Sequence, residues 1–403
     1  MRVLILNANL RERGTYFRAR KIAEGLHRRG HDITFVHTGD GFYRPRHGPN
    51  RERWAEYGSA SWSPFRSEEG HSPLGLAQRL WALRGKWDLI YTFSHLPVDQ
   101  GTARFIRARG GFWITDWCDL WNSRLGGYHD LRNWPRPLPK FARGLKGARL
   151  KLAFRCEDFL EARAAIDADA VSIIVSPMRE YTRRLGIPDE RALHLVSGAD
   201  TERIAPLDRE ECRAKLGLNA DGKYFAYVAN YTPDNIMFEA ALEIVFREMP
   251  ELKLISVGPR WYEEGTFAAK CAAEGRIIDY DRKPFAEVPT YIGAADFVTM
   301  PLRDIPSNRC RWPNKFGDYM AAGRAVATSD VGDMGEIIRR EGVGVAGPAT
   351  AEGFAAAILT LARDPELCRT AGERGREAAL KHFDWDTKVE ELCAYLRCRG
   401  VAI

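Results

Sequence analysis

The chain has 403 residues, 45% of them hydrophobic, and a formal charge of +6, which suits a globular protein of two ordinary domains. No run of 18 apolar residues occurs, so a spanning helix is excluded, and the opening MRVLILNANL alternates like a strand rather than a signal peptide. Its eight cysteines form no CxxC pair, which suggests neither a zinc site nor a disulfide framework and points to a reducing, cytoplasmic protein.

Charge is unevenly shared. Residues 1–200 hold 33 Lys+Arg against 22 Asp+Glu, and the remainder holds 27 against 32. Such a split suggests different partners for each half. The basic residues are dispersed and no nucleic-acid module is recognisable. An anionic lipid surface or a phosphate-bearing acceptor therefore suits the basic half better than nucleic acid.

In chain order, VLIL (3–6) reads as a buried parallel strand. The segment 16–30 has helical apolar spacing and ends on Gly30, and DITFVHT (32–38) is the next strand. This βαβ unit seeds a doubly wound sheet. Residues 40–75 read as a long polar loop. Strands are expected at 87–93, 111–117, 170–176 and 194–198. In 138–156, apolar residues at 138, 141, 145, 148 and 152 alternate with Lys140, Arg143, Lys146, Arg149, Lys151 and Arg155. That pattern predicts a basic amphipathic helix of the interfacial kind, an anchor for an anionic membrane surface.

The second half repeats the theme. Strands are expected at 223–230, 252–258, 277–282, 296–301, 324–330 and 344–347. Helices are expected at 237–250, 286–295, 316–323, 335–342 and 351–364. The fold class is α/β, with two Rossmann-like domains facing each other across a cleft. Ligands of such sheets gather at the carboxyl ends of strands, so the post-strand loops hold the candidates.

Residues 172–206, with LGIPDER and SGADTERIAP, resemble the interdomain passage of glycosyltransferase family 4, of the GT-B fold. GDYMAAGRAV (317–326) is similar to the family's donor turn, and HFDWDTKVEELCAYL (382–396) resembles its closing helix. The resemblance spans nearly the whole chain. It implies an N-terminal acceptor-binding domain (1–200), a C-terminal donor domain (201–382) and a final helix (383–403) crossing back. The implied activity is retaining, metal-independent transfer of a sugar from a nucleotide diphosphate sugar to an acceptor hydroxyl, with no cofactor. The acceptor is a small molecule, a saccharide or a lipid-linked compound. The alternatives are a GT-B sugar-nucleotide epimerase or hydrolase, and a catalytically degenerate binding or scaffold protein.

The family's donor motif places two acids eight positions apart. Asp318 falls at the second, where a carboxylate accepts both hydroxyls of a ribose diol. Cys310 replaces the first, which leaves sugar recognition to a neighbour such as Asn308 or Asp304. The family's Arg/Lys pair is also missing: Asn230 and Asn235 stand in its region. The diphosphate then falls to Lys315, Arg311, Arg309 and Arg260, aided by Gly258 and by amides of the helix beginning near Gly332. Gly14 would let the backbone approach the donor. His95 follows a strand where the family carries a sugar-facing histidine. Asp116 and Asp119 follow another, as carboxylates able to orient or deprotonate an acceptor hydroxyl. Eight of the eleven tryptophans precede residue 140, which favours stacking on an acceptor ring in the N-terminal half.

Overall fold

The computed structural model describes residues 1–11, 14–39, 46–47, 53–61, 69–130, 132, 144–229 and 234–403. The chain divides into two compact units. One comprises Met1–Ser197, Cys310–Trp312 and Trp385–Ile403, and the other Gly198–Arg309 and Pro313–Asp384.

Among the described residues the first unit is built on eight strands: β1 Arg2–Leu10, β2 Asp32–Thr38, β3 Arg46–His47, β4 Trp54–Ser59, β5 Leu89–Thr92, β6 Phe112–Trp117, β7 Ala170–Ile173 and β8 Ala192–His194. Their order is β3-β4-β2-β1-β5-β6-β7-β8. All neighbours pair in parallel except β3 with β4. Residues Val3–Ala8 of β1 are buried without alternation, as a strand covered by helices on both faces requires. Helix Tyr16–Arg28 lays Tyr16, Ala19, Ile22, Ala23 and Leu26 on Val3, Ile5 and Phe35. Helix Trp385–Cys398, from the far end of the chain, adds Val389, Leu392, Cys393 and Leu396 to this cluster. The two helices meet at Gly25, where a Cβ would lie 2.5 Å from a Val389 methyl. Arg29 clamps the contact through Asp386 and Glu390.

The second unit has six parallel strands: β9 Lys223–Val228, β10 Leu252–Val257, β11 Ile277–Tyr280, β12 Phe297–Met300, β13 Val326–Ser329 and β14 Gly344–Gly347. Their order is β11-β10-β9-β12-β13-β14, the doubly wound arrangement whose direction reverses between β9 and β12. Helices Asn235–Glu248 and Ala351–Arg363 pack Phe238, Leu242, Val245, Phe354, Ile358 and Leu361 with Phe225 and Phe297, whose rings stack at 5.5 Å.

Four expectations differ from this fold. The stretch 40–75, read as loop, contains β3, β4 and the start of helix Pro73–Ala82. Glu56 disguised the strand: it looks polar in sequence but is tied to His37 and Arg20. The strand read at 194–198 is instead Ala192–His194, with Leu195 still bonded to the Ile173 carbonyl. The basic helix runs Gly144–Asp167, well past Cys156, while residues 138–143 lie outside the described residues. Helix Pro365–His382 was not anticipated; its buried face is Ala- and Gly-rich, a weak apolar signal. No described helix is long and apolar enough to cross a membrane.

Candidate functional site

In each sheet the direction of winding reverses beside its first strand; Gly14 and His95 follow the two strands at the first reversal, and Asn308 follows β12 at the second.

In the second unit the reversal separates the loops after β9 and β12. Asp234, buried at the N-cap of helix Asn235–Glu248, joins them. Its Oδ1 accepts from the Arg303 backbone N at 3.1 Å, Arg303 Nε at 3.2 Å and Asn308 Nδ2 at 3.0 Å. Asn308 also donates to the Arg303 carbonyl at 2.8 Å, and its own Oδ1 is buried with no partner. Asn308 is thus a brace of the loop with one acceptor unspent. Sequence reasoning missed Asp234 and Arg303. The signal was an Asp at the start of the helix that follows β9.

Helix Asn314–Ala321 carries Lys315 and Asp318. Burial pushes the Asp318 carboxyl up to about 7, with Lys315 pulling it down and Asp200 pushing further. Burial likewise lowers Lys315, and Asp318 partly restores it. Burial thus disfavours the charged form of both groups, as it often does for ionisable groups at ligand sites. Arg309 is exposed and closed on Asp304, whose carboxyl it holds below the usual range. Cys310 is fully buried. Arg260 is exposed, its guanidinium 5.5 Å from the Tyr262 ring centre. Gly258 is at φ 132°, and a Cβ there would come 1.8 Å from the Ala229 carbonyl oxygen. That glycine lets the post-β10 backbone cross the end of β9. Asn230 lies outside the described residues. The helix Met334–Glu341, expected to offer amides, has the Asp330 carboxylate over its first turn: a Cβ on Gly335 would meet Asp330 Oδ1 at 1.8 Å. A phosphate there would meet like charge.

In the first unit the reversal lies between β1 and β5. Gly14 (φ 53°) follows β1, and its Cα faces the Asn9 amide so closely that a Cβ would sit 3.0 Å from Asn9 Oδ1. Thr15 completes the turn, donating its backbone N to Asn9 at 3.2 Å. Asp116, at the end of β6, is buried. Arg18 donates Nε and Nη2 to its two oxygens at 3.0 Å each, and Tyr91 and Ser172 also donate to it. With both oxygens engaged, Asp116 fastens helix Tyr16–Arg28 to the sheet and is not placed to accept a substrate proton. Asp119, three residues on, is only partly covered. Burial raises its carboxyl to about 7, against the pull of Arg311 and with the push of Asp116.

His95 sits elsewhere than expected: its Nε2 faces Glu157 Oε2 at 3.4 Å inside a histidine cluster. His71 and His129 approach the same carboxylate at 2.6 and 2.9 Å. Burial opposes charge on His129, yet its bonds to Asp158 and Glu157 prevail and carry it up to about 9. The structure thus gathers Lys315 with Asp318, and Asn308 with Asp234, and it sets His95 and Asp116 into separate buried networks.

Comparison with known proteins follows this division. The family model described as "Glycosyl transferase 4-like domain" matches residues 13–196, and "Glycosyl transferases group 1" matches 222–364. A D-inositol 3-phosphate glycosyltransferase of Rhodococcus jostii is 27% identical over 243 residues, 55% of this chain and 50% of its own. An alpha-maltose-1-phosphate synthase of Mycolicibacterium smegmatis is 26% identical over 260 residues, 60% of this chain and 66% of its own. The chain spans about half the length of most curated relatives it matches. Among solved structures, sucrose-phosphate synthase from Thermosynechococcus elongatus superposes with a TM-score of 0.71 at 18% identity, covering 100% of both chains. Anabaena HepE in complex with UDP and glucose gives 0.70 at 16%, covering 99% of this chain and 100% of its own.

Proposed function

The chain belongs to the 4-like, group 1 glycosyltransferases, and from that premise we propose that it moves a sugar from a nucleotide diphosphate sugar to an acceptor hydroxyl. The C-terminal unit holds the donor, and the N-terminal unit holds a saccharide, small-molecule or lipid-linked acceptor. The observation that carries this reading is the switch point of the second sheet. Asp234 knots its two loops together, and the helix that follows offers a cation and a carboxylate one turn apart.

Asp318, ionised, accepts from both ribose hydroxyls, and Lys315 meets the diphosphate, with Arg260 as a further cation. Transfer breaks the bond from the anomeric carbon to the diphosphate oxygen and forms one to the acceptor oxygen. The acceptor proton passes to the departing phosphate on the same face, so configuration is retained and no metal enters the step. The cations and loop amides stabilise the charge left on the diphosphate. Asp119 orients the acceptor hydroxyl. His95 and Asp116 stay outside the chemistry, because their polar atoms are held by the protein itself.

Helix Gly144–Asp167 supports a membrane-bound acceptor. Leu145, Leu152, Phe159 and Ile166 recur at every seventh residue and are exposed. Lys146, Arg149, Lys151, Arg155 and Arg163 are exposed beside them, while Glu157, Asp158 and Glu161 are buried. The outer face therefore joins apolar anchors to positive charge, as an anionic lipid surface requires.

Titration calorimetry with nucleoside diphosphates and their sugars tests the donor site. One diphosphate binds, and Lys315→Ala weakens it about 10–100-fold, the loss of a charge-assisted contact. Absence of binding and of turnover with every nucleotide sugar would overturn the proposal.

A further inference from the structure

The histidine cluster of the first unit is not used by the transfer reaction. We propose that His95, His129 and Glu157 form a site for a borderline divalent cation of the zinc class, which braces the N-terminal unit. The inference goes beyond the glycosyl-transfer reading and does not rest on it, and it departs from the sequence reading, which assigned no metal.

One ligand atom from each of the three residues lies within 4.8 Å of the other two, and all three residues are buried. Glu157 Oε2 is 2.9 Å from His129 Nε2 and 3.4 Å from His95 Nε2. Ligands on a tetrahedral ion with bonds of about 2.0–2.1 Å stand about 3.3 Å apart, so small shifts would seat one. Imidazole with a carboxylate is a donor set suited to zinc or cobalt rather than calcium or magnesium.

The surroundings match what such ligands need. His129 Nδ1 lies 2.7 Å from Asp158 Oδ1, the carboxylate–histidine pairing that fixes a ring with its Nε2 turned to a metal. Asp158 is itself held by the Ser123 backbone N at 3.1 Å and by the Ser123 hydroxyl. His71 Nε2, 2.6 Å from Glu157 Oε1, secures the carboxylate's other oxygen. Phe154 stacks on His129 at 4.1 Å, and the Trp121 ring lies 5.3 Å from His95. An apolar wall of this kind limits water around an ion.

Three separate segments meet here: the loop after β5, the loop after β6 and helix Gly144–Asp167. Without an ion, His129 must carry a proton on each nitrogen to satisfy both carboxylates. Binding releases the Nε2 proton and leaves Nδ1–H donating to Asp158.

The test uses the full untagged chain, dialysed against a chelator and titrated with zinc and with cobalt(II). Expected are about one equivalent bound per chain, a four-coordinate cobalt ligand-field spectrum, and a Tm that rises with zinc concentration. Asp158→Asn lowers affinity about 10–100-fold. His129→Asn and His95→Asn abolish the cobalt spectrum, and Lys270→Ala, on an exposed position of the second unit, leaves it unchanged. Circular dichroism and a cooperative urea transition confirm that each variant is folded. Failure of the folded wild-type chain to take up either ion would overturn the proposal, as would stoichiometric uptake that survives both histidine substitutions.

Discussion

Asp318 and Gly258 show how single residues are stressed by the placement proposed for them. The Asp318 carboxyl, raised to about 7 by burial, binds more protons in the folded state than in the unfolded one between its ordinary value of 3.8 and about 7. It therefore lowers stability as pH climbs through that window. Asp318→Asn should raise stability by about 1–2 kcal/mol at pH 8, with the difference vanishing below pH 4, measured by urea denaturation. The same substitution should weaken nucleotide binding, and wild-type affinity should rise with pH through 7 as the carboxylate forms. Equal affinity at pH 6 and pH 8 would remove Asp318 from the donor site. Gly258→Ala meets the Ala229 carbonyl oxygen at 1.8 Å and keeps φ at 132°, so it should cost at least about 2 kcal/mol. Asp119→Asn keeps the shape of the side chain but removes its charge. It should lower kcat about 100-fold with the donor affinity unchanged.

Elements reveal where sequence patterns speak and where they fall silent. Strands such as Val3–Leu6 announce themselves, because burial on both faces demands unbroken apolar runs. β4 does not, since Glu56 reaches its partners only through the fold. Lys315 and Asp318 could be found because they share a helix one turn apart. The knot around Asp234 could not, because its partners lie about 70 residues away. His95 follows β5 and Asp116 lies within β6 near its end, but long-range partners, Glu157 and Arg18, decide where their polar atoms point. Helix Gly144–Asp167 carries the prediction at this scale. A Leu152→Glu/Phe159→Glu chain should lose most of its sedimentation with phosphatidylglycerol vesicles, while neither protein sediments with phosphatidylcholine alone. Equal sedimentation of both chains would show that this face does not meet the lipid.

At the scale of the whole molecule, the units are not consecutive pieces of sequence. Helix Trp385–Cys398 follows the second unit in the chain but packs into the first, filling the space beside Gly25. Removing residues 385–403 should therefore loosen the N-terminal sheet. Hydrogen exchange should accelerate in Tyr16–Arg28 and β2 while β9 to β13 keep their protection. Uniform acceleration throughout the chain would contradict this partition.

That interleaving bears on how the polypeptide is made. When Ser197 leaves the ribosome, the surface of Ile22, Gly25 and Leu26 that Val389 will cover is still bare. Nearly two hundred residues must be added before its cover arrives. At a synthesis rate of about 5–20 residues per second this takes roughly ten to forty seconds. Throughout that interval the nascent lobe presents a sticky groove, a natural recruiting point for ribosome-associated chaperones.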